Sequence, residues 1–248
     1  MSAIYTILVF SLLGASYSYF IYPIILLLIK HKKAGNIEFS VEAITSAESE
    51  NDHALPFITL IITAFNEESS IKNKIINTLE TDYPTDNREV LVASDGSTDK
   101  TNQYVKEFAD QGVRLIEVLE RKGKENAQLA AIQEARGDIL IFSDVATQIP
   151  KEAIRRIVTT FSNQQIGALS SEDRFITEQG EIAGEGAYVK YEMWLRRLEA
   201  RVKSLVGLSG SFFACRKIIC EHWDIKVPSD FNTALNCVSQ GYIAISHP

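Results

Sequence analysis

Cysteine is scarce, at three residues, Cys215, Cys220 and Cys237. An odd count without pairing spacing excludes a disulfide framework, and free thiols in a reducing compartment are expected. No Cys-x-x-Cys pair or Cys/His cluster occurs, which removes the usual zinc signatures. Basic residues are in deficit: 25 Lys and Arg stand against 32 Asp and Glu, a formal net charge of −7. A general nucleic-acid binder shows the opposite balance, so nucleic acid is not an expected partner. A Walker A loop and a Gly-x-Gly-x-x-Gly after a strand are also missing, so ATP-hydrolysing and dinucleotide-binding readings lose their support. Internal repeats and low-complexity tracts are absent.

Charge is missing altogether between Ala3 and Ile29, a run of 27 residues. A bilayer core needs only ~20 helical residues, so this run predicts a transmembrane anchor over residues 1–30. Tyr17, Tyr19 and Tyr22 add amphipathic rings, and Pro23 is tolerated in a membrane helix. Lys30, His31, Lys32 and Lys33 follow at once. Basic residues favour the cytoplasmic side, so a single pass with the remaining chain facing the cytoplasm is expected. A cleaved signal peptide would carry its charge before the apolar run, and its run would be shorter.

Residues 31–55 combine that basic flank with an acidic linker, Asn36 to His53, which holds Glu38, Glu42, Glu48, Glu50 and Asp52 but no Lys or Arg. Residues 56–248 then alternate short apolar runs with amphipathic segments. Phe57–Ala64, Glu89–Ser94, Val113–Val118, Asp138–Phe142 and Ile166–Ser170 have the length and β-branched content of strands. Between them, Asn66 is placed to cap a helix that turns Ile71, Ile75, Ile76 and Leu79 inward. A second helix begins near Thr98 and buries Tyr104, Val105 and Phe108; a third covers Glu125 to Arg136. Pro150 opens a fourth, with Ile154, Ile157, Val158 and Phe161 inward. This alternation predicts an α/β fold, a mostly parallel central sheet with helices on both faces.

Ligands of such sheets bind outside the carboxyl ends of the strands. Those ends carry Thr63-Ala64-Phe65-Asn66-Glu67, Ser94-Asp95-Gly96-Ser97-Thr98-Asp99, the basic loop Arg121-Lys122-Gly123-Lys124 and Ser143-Asp144. Each alone reads as a turn, a solvated loop or a helix cap. Together on one edge they offer what a nucleoside diphosphate needs. A carboxylate accepts from base or ribose, backbone N–H groups and cations meet phosphate, and a second carboxylate holds Mg2+ or Mn2+.

The segments ITLIITAFNEESSI, EVLVASDGSTDKT and RKGKENAQLAAIQEARGDILIFSDVAT resemble, in order and spacing, the inverting family 2 glycosyltransferases of GT-A fold, including members of bacterial polysaccharide synthesis. The resemblance extends over almost all of residues 56–248. It implies a nucleotide-binding half, 56–148, and an acceptor-side half, 149–248. It implies that Ala64, Asn66, Glu67, Asp95, Ser97, Arg121, Lys122, Lys124, Asn126 and Asp144 bind the nucleotide-sugar, with Asp144 the first residue of the metal motif for Mn2+ or Mg2+. Gly210, Ser211 and Ser229 would border donor sugar and acceptor. Asp230, by itself an ordinary helix-start carboxylate, matches the catalytic base. The reaction implied is transfer of a sugar, expected to be UDP-linked, to a polysaccharide or lipid-linked acceptor hydroxyl with inversion.

From Gly186 to Gly207 one helical face carries Tyr191, Trp194, Leu195, Leu198, Val202 and Leu205, and the remainder is basic. A helix packed on its own domain is favoured over a membrane-surface helix.

Two departures qualify the resemblance. The second carboxylate of the family's metal motif is Ala146 here, which weakens the expectation of a metal. Longer members also continue past the position of Pro248 with an Arg/Trp-containing acceptor motif and further membrane helices. The alternative is therefore a non-catalytic or split-enzyme membrane subunit, whose partner chain supplies the missing motif. A nucleotidyltransferase on the same fold would want a Gly-rich phosphate loop where this chain has Phe65-Asn66-Glu67.

Overall fold

The structure, a computed structural model, describes residues 2–29, 55–172 and 187–247. The basic flank at residues 30–33 and the acidic linker at residues 36–53 lie outside the described residues. What is described falls into two compact units, residues 2–29 with 187–205 and residues 55–172 with 206–247.

The first unit is helical. Helix α1 (Ser2–Ser16) passes through a π-helical turn (Tyr17–Ile21) into α2 (Tyr22–Leu28). No single helix among the described residues is long and apolar enough to cross a membrane. The one regular anchor helix expected from the sequence is thus divided by the π turn. The backbone stays right-handed helical through it, and the Tyr22 N–H bonds the Tyr17 carbonyl. Ile4, Ile7, Leu8, Phe10, Phe20 and Leu28 are all exposed. Helix α7 (Ala187–Val202) belongs to this unit, not to the one that carries the sheet. Tyr22 donates its hydroxyl to Glu199 Oε1 at 2.8 Å, and Tyr191 donates to the Tyr19 carbonyl at 3.1 Å. The Tyr19 and Tyr191 rings lie 5.8 Å apart. Met193, Leu198 and Glu199 are buried, whereas Trp194, expected on the inward face, is exposed.

The second unit is built on a seven-stranded sheet of order β3-β2-β1-β4-β6-β5-β7. The strands are β1 (Ile58–Ala64), β2 (Arg88–Asp95), β3 (Val113–Val118), β4 (Ile139–Asp144), β5 (Ile166–Ser171), β6 (Phe212–Arg216) and β7 (Ile243–His247). All run parallel except β6, which lies antiparallel between β4 and β5. The mostly parallel α/β fold is therefore present. Alternation along β1, β2 and β4 is lost because nearly every residue is buried, as expected of strands covered on both faces.

The helices of this unit are α3 (Ile71–Leu79), α4 (Thr101–Lys106), α5 (Lys124–Glu134), α6 (Ala153–Thr160) and α8 (Ser229–Ser239). Ile154, Ile157, Val158 and Phe161 face inward as their spacing predicts. Helix α3 differs from expectation. Asn66 does not cap it; Asn66 sits at φ +53°, and the helix starts five residues later. Its buried residues are Ile71, Lys74, Ile75 and Thr78, while Ile76 is exposed. A lysine thus occupies an inward position.

Register fixes the height of the strand ends: Thr63 pairs with both Ala93 and Asp144. At the opposite edge, the carboxylate of buried Glu89 clamps the sheet. It accepts from Thr59 Oγ1 at 2.8 Å and from the Arg136 N–H at 2.6 Å. Arg136 Nε at 2.9 Å and Arg114 at 3.1 Å complete its shell. Burial raises the Glu89 pKa, but these donors outweigh it and hold the group below its ordinary value of 4.5. Beside it, a Cβ on Gly137 would lie 2.5 Å from the Thr59 nitrogen, so only glycine admits this approach.

Removing this charge weakens the hydrogen bonds from two half-exposed arginines and a backbone N–H, so Glu89→Gln should lower the unfolding free energy by about 2 kcal/mol at neutral pH. A depressed carboxylate pKa contributes stability that is present above its unfolded value and lost as pH falls through its folded value. The gap between wild type and variant should therefore close as pH drops below 4.5. Urea unfolding in mild detergent across acid pH tests this, and a gap that stays constant contradicts it.

Candidate active site

The carboxyl ends of β1, β2 and β4 meet three loops, and Asp95 organises the first contact. Buried at the end of β2, it accepts the N–H of Lys122 on Oδ1 at 2.8 Å and that of Gly123 on Oδ2 at 3.0 Å. Its carboxylate thereby fixes the basic loop to the sheet. The neighbouring Gly96, at φ +69°, is required there, because a Cβ would stand 2.7 Å from the Arg121 nitrogen.

The first and second loops are zipped together. Asn66 offers its N–H to Ser97 Oγ at 3.1 Å and accepts the Thr98 N–H on Oδ1 at 2.8 Å. The Glu67 N–H bonds Thr101 Oγ1 at 2.7 Å, and the Glu68 N–H bonds Asp99 Oδ2 at 3.0 Å. Asp99 also accepts the N–H and hydroxyl of Thr101. Burial raises the Asp99 pKa, but these hydrogen bonds outweigh it and hold the group low. Asn66 and Ser97, expected to touch the nucleotide, thus have polar atoms committed to loop structure. The Glu67 carboxylate and the Asn126 amide have no partner among the described residues and remain available to a ligand. Ala64 is buried opposite Ser94 and contributes backbone only.

Of the basic loop, Arg121 lies over the Phe65 ring with its guanidinium carbon 3.8 Å from the centroid. Lys122 sits at the rim, 3.6 Å from Glu120. Lys124 reaches furthest inward. Its ammonium lies 2.6 Å from Asp144 Oδ1 and donates to the Gly210 carbonyl at 2.8 Å. The Asp144 N–H in turn bonds the Ser211 carbonyl at 2.9 Å, and Ser211 Oγ pairs with Ser209 Oγ. The turn at residues 207–211 is thereby joined to the end of β4.

Asp230 stands in the first turn of α8. A Cβ added to Gly210 would be 4.0 Å from its Oδ2, so the carboxylate lies over Gly210. Asp230 is half-buried and has no hydrogen-bond or ion-pair partner among the described residues. Ser229 is buried, and its carbonyl accepts the Thr233 hydroxyl. Lys124, Asp144, Gly210 and Asp230 therefore form one continuous surface.

Two residues at this edge are not evident from sequence. Lys74 is buried and donates to Ser143 Oγ at 2.7 Å and to the Thr147 carbonyl at 2.6 Å. Burial pushes its pKa down to about 7, with the Asp144 charge pulling partly back. Its one signal in the sequence is spacing, since it lies three residues after Ile71 and four before Thr78 on the inward stripe. Trp223 stacks on Phe142, rings 5.6 Å apart, and donates Nε1 to the Glu125 carbonyl at 3.0 Å. It pins the start of α5 beside Lys124.

The expected Mn2+ or Mg2+ can be tested against this donor set. At a nucleotide site a hard cation such as Mg2+ needs one or two carboxylates from the protein, with phosphate and water oxygens completing its shell. Asp144 is one carboxylate already carrying an ammonium, Ala146 offers none, and the Asp95 oxygens are taken by backbone N–H groups. Among the described residues no three His, Cys, Asp or Glu are grouped to hold a metal. The residues present do not fit a divalent ion.

Comparison with known proteins gives this geometry a family. The chain is 25% identical over 198 residues to β-monoglucosyldiacylglycerol synthase of Nostoc sp., covering 74% of this chain and 41% of that protein. It is 24% identical over 176 residues to poly-β-1,6-N-acetyl-D-glucosamine synthase of Staphylococcus epidermidis, covering 67% and 42%. The chain thus spans less than half the length of these relatives. Among solved structures it resembles the mannosyltransferase PcManGT of Pyrobaculum calidifontis, in complex with GDP-Man and Mn2+, at 26% identity and a TM-score of 0.67. That match covers 81% of this chain and 57% of the other. Residues 59–223, which carry the zipped loops, the Asp95 clamp and the Lys124–Asp144 pair, match the profile of one family throughout; the chain belongs to glycosyl transferase family 2.

Proposed function

We propose that this chain is the donor-binding and catalytic domain of an inverting hexosyltransferase. It moves a sugar from a nucleoside-diphosphate donor, expected to be UDP-linked, to a hydroxyl of a polysaccharide or lipid-linked acceptor. The observation that carries this reading is the unpartnered Asp230 carboxylate over Gly210, beside the Lys124 that binds the Gly210 carbonyl. A base and a phosphate-receiving cation then flank one small-residue turn. Asp230 would take the proton of the acceptor hydroxyl as its oxygen bonds to the anomeric carbon. The bond from that carbon to the diphosphate oxygen breaks on the opposite face, which inverts the centre. Lys124 and Arg121 receive the charge that develops on the leaving diphosphate. The names of the Nostoc and Staphylococcus relatives support lipid-linked or polysaccharide acceptors.

A membrane site of action is part of the same proposal. The segments α1, π turn and α2 follow one another from Ser2 to Leu28. At ~1.5 Å per residue that path is about 40 Å long, against a hydrocarbon core of ~30 Å. Its exposed apolar side chains suit a single pass in lipid, and Lys30 to Lys33 would keep the transferase domain cytoplasmic.

Two measurements test the proposal. With a panel of UDP- and GDP-sugars, Asp230→Asn should cut transfer by about a hundredfold to ten-thousandfold while leaving nucleotide affinity within about twofold. A variant equal to wild type, or no turnover with any donor and acceptor, contradicts a catalytic role. In cells, the full chain should remain in membranes through alkaline carbonate extraction, and a chain lacking residues 1–29 should not. Release of the full chain by carbonate contradicts the anchor.

A further inference from the structure

Charge at the donor edge is arranged around nitrogen, although the mannosyltransferase PcManGT, 26% identical to this chain, is known in complex with GDP-Man and Mn2+. An ammonium has three N–H donors. Lys124 spends one on Asp144 Oδ1 and one on the Gly210 carbonyl, at 2.6 and 2.8 Å. Both ends of the ion pair are held: Asp144 is tied through its N–H to the Ser211 carbonyl, and the start of α5, which carries Lys124, is pinned by Trp223. The third N–H is left for a ligand oxygen. A divalent ion would have to share the Asp144 carboxylate with this ammonium, at a distance where two cations repel strongly.

The turn after β4 removes the remaining ligands. Ala146 supplies no carboxylate. The Thr147 carbonyl, an oxygen an ion could use, accepts from buried Lys74, as does Ser143 Oγ on the other side of Asp144. Two lysines therefore bracket the single carboxylate, one on its outer face and one beneath the turn that bears it.

We propose that donor binding in this chain is independent of divalent metal. The Lys124 ammonium, oriented by Asp144 and Gly210, accepts the diphosphate directly, and Lys74 holds the 143–147 turn in the shape that presents Asp144 to it. This inference rests on the donor reading above. Point-charge recognition by lysine suits a diphosphate, and a charge-assisted hydrogen bond is about twice as strong as a neutral one.

The test uses the detergent-solubilised full chain, with UDP and GDP as probes, in calorimetry with EDTA or with millimolar Mn2+. The free Mn2+ spin-resonance signal is followed in parallel, without nucleotide. The affinity of the nucleotide that binds should agree within about twofold between EDTA and Mn2+, and the Mn2+ signal should be unattenuated by the protein. In EDTA, Lys124→Met should weaken binding by about tenfold or more, equivalent to ~1.4 kcal/mol, and Lys124→Arg should restore most of it. Loss of binding in EDTA by about tenfold or more relative to Mn2+ would overturn the inference while leaving the donor reading intact. So would an Mn2+ site abolished by Asp144→Asn. If neither nucleotide binds under either condition, the donor reading itself is wrong and the inference falls with it.

Discussion

The contact on which the site depends is the ammonium of Lys124 set between the Asp144 carboxylate and the Gly210 carbonyl. It joins segments far apart in sequence: the start of α5, the end of β4 and the turn before β6. Each is held by something else. Asp95 fixes the loop leading to Lys124, Trp223 pins the next residue's carbonyl, and parallel pairing with β1 sets the height of Asp144. The turn at 207–211 is drawn in by bonds to Asp144 and Thr147. Asp230 is placed over Gly210 as a consequence of where that turn lies.

The two edges of the sheet divide the work. At the edge where β1 and β2 begin, Glu89 is saturated by Thr59, Arg114 and Arg136, and Gly137 lets two backbones approach as closely as sterics allow. The Glu89 carboxylate there is fully engaged in holding the sheet. At the carboxyl edge, valence remains open on Asp230, on the third N–H of Lys124, on Glu67 and on Asn126. That asymmetry follows from the parallel sheet, whose connecting loops can diverge at one end without disturbing the strands.

The strands of the nucleotide-binding half are legible because buried parallel strands are short, β-branched and bounded by turn residues. Their observed limits fall within two residues of those expected. The gathering of Asp95, Lys124 and Asp144 follows once β1, β2 and β4 are adjacent, whereas Gly210 and Asp230 join them through β6, antiparallel beside β4. What sequence pattern misses has physical reasons. Asn66 has the look of a helix cap, yet its side chain bonds the Thr98 N–H of another loop, a long-range contact that local pattern cannot show. Lysine is usually exposed, so helix spacing alone does not single out Lys74, and the acceptors at Ser143 and Thr147 make its burial tolerable. Helix α7 has one apolar face and a basic remainder, a pattern that suits a domain surface or a membrane surface alike, so it does not say which surface the helix meets. The tyrosine contacts to residues 19 and 22 decide that.

The central claim is that Lys124, seated on Asp144 above the turn that Lys74 holds, and not an ion, receives the donor diphosphate. A crystal structure of the chain grown with the nucleotide it binds, in the presence of Mn2+, tests it most directly. The account predicts a phosphate oxygen within hydrogen-bond distance of Lys124 Nζ, with Lys124 still on Asp144 and no anomalous manganese peak between them. A manganese peak bridging Asp144 and the diphosphate, with Lys124 displaced, would contradict it.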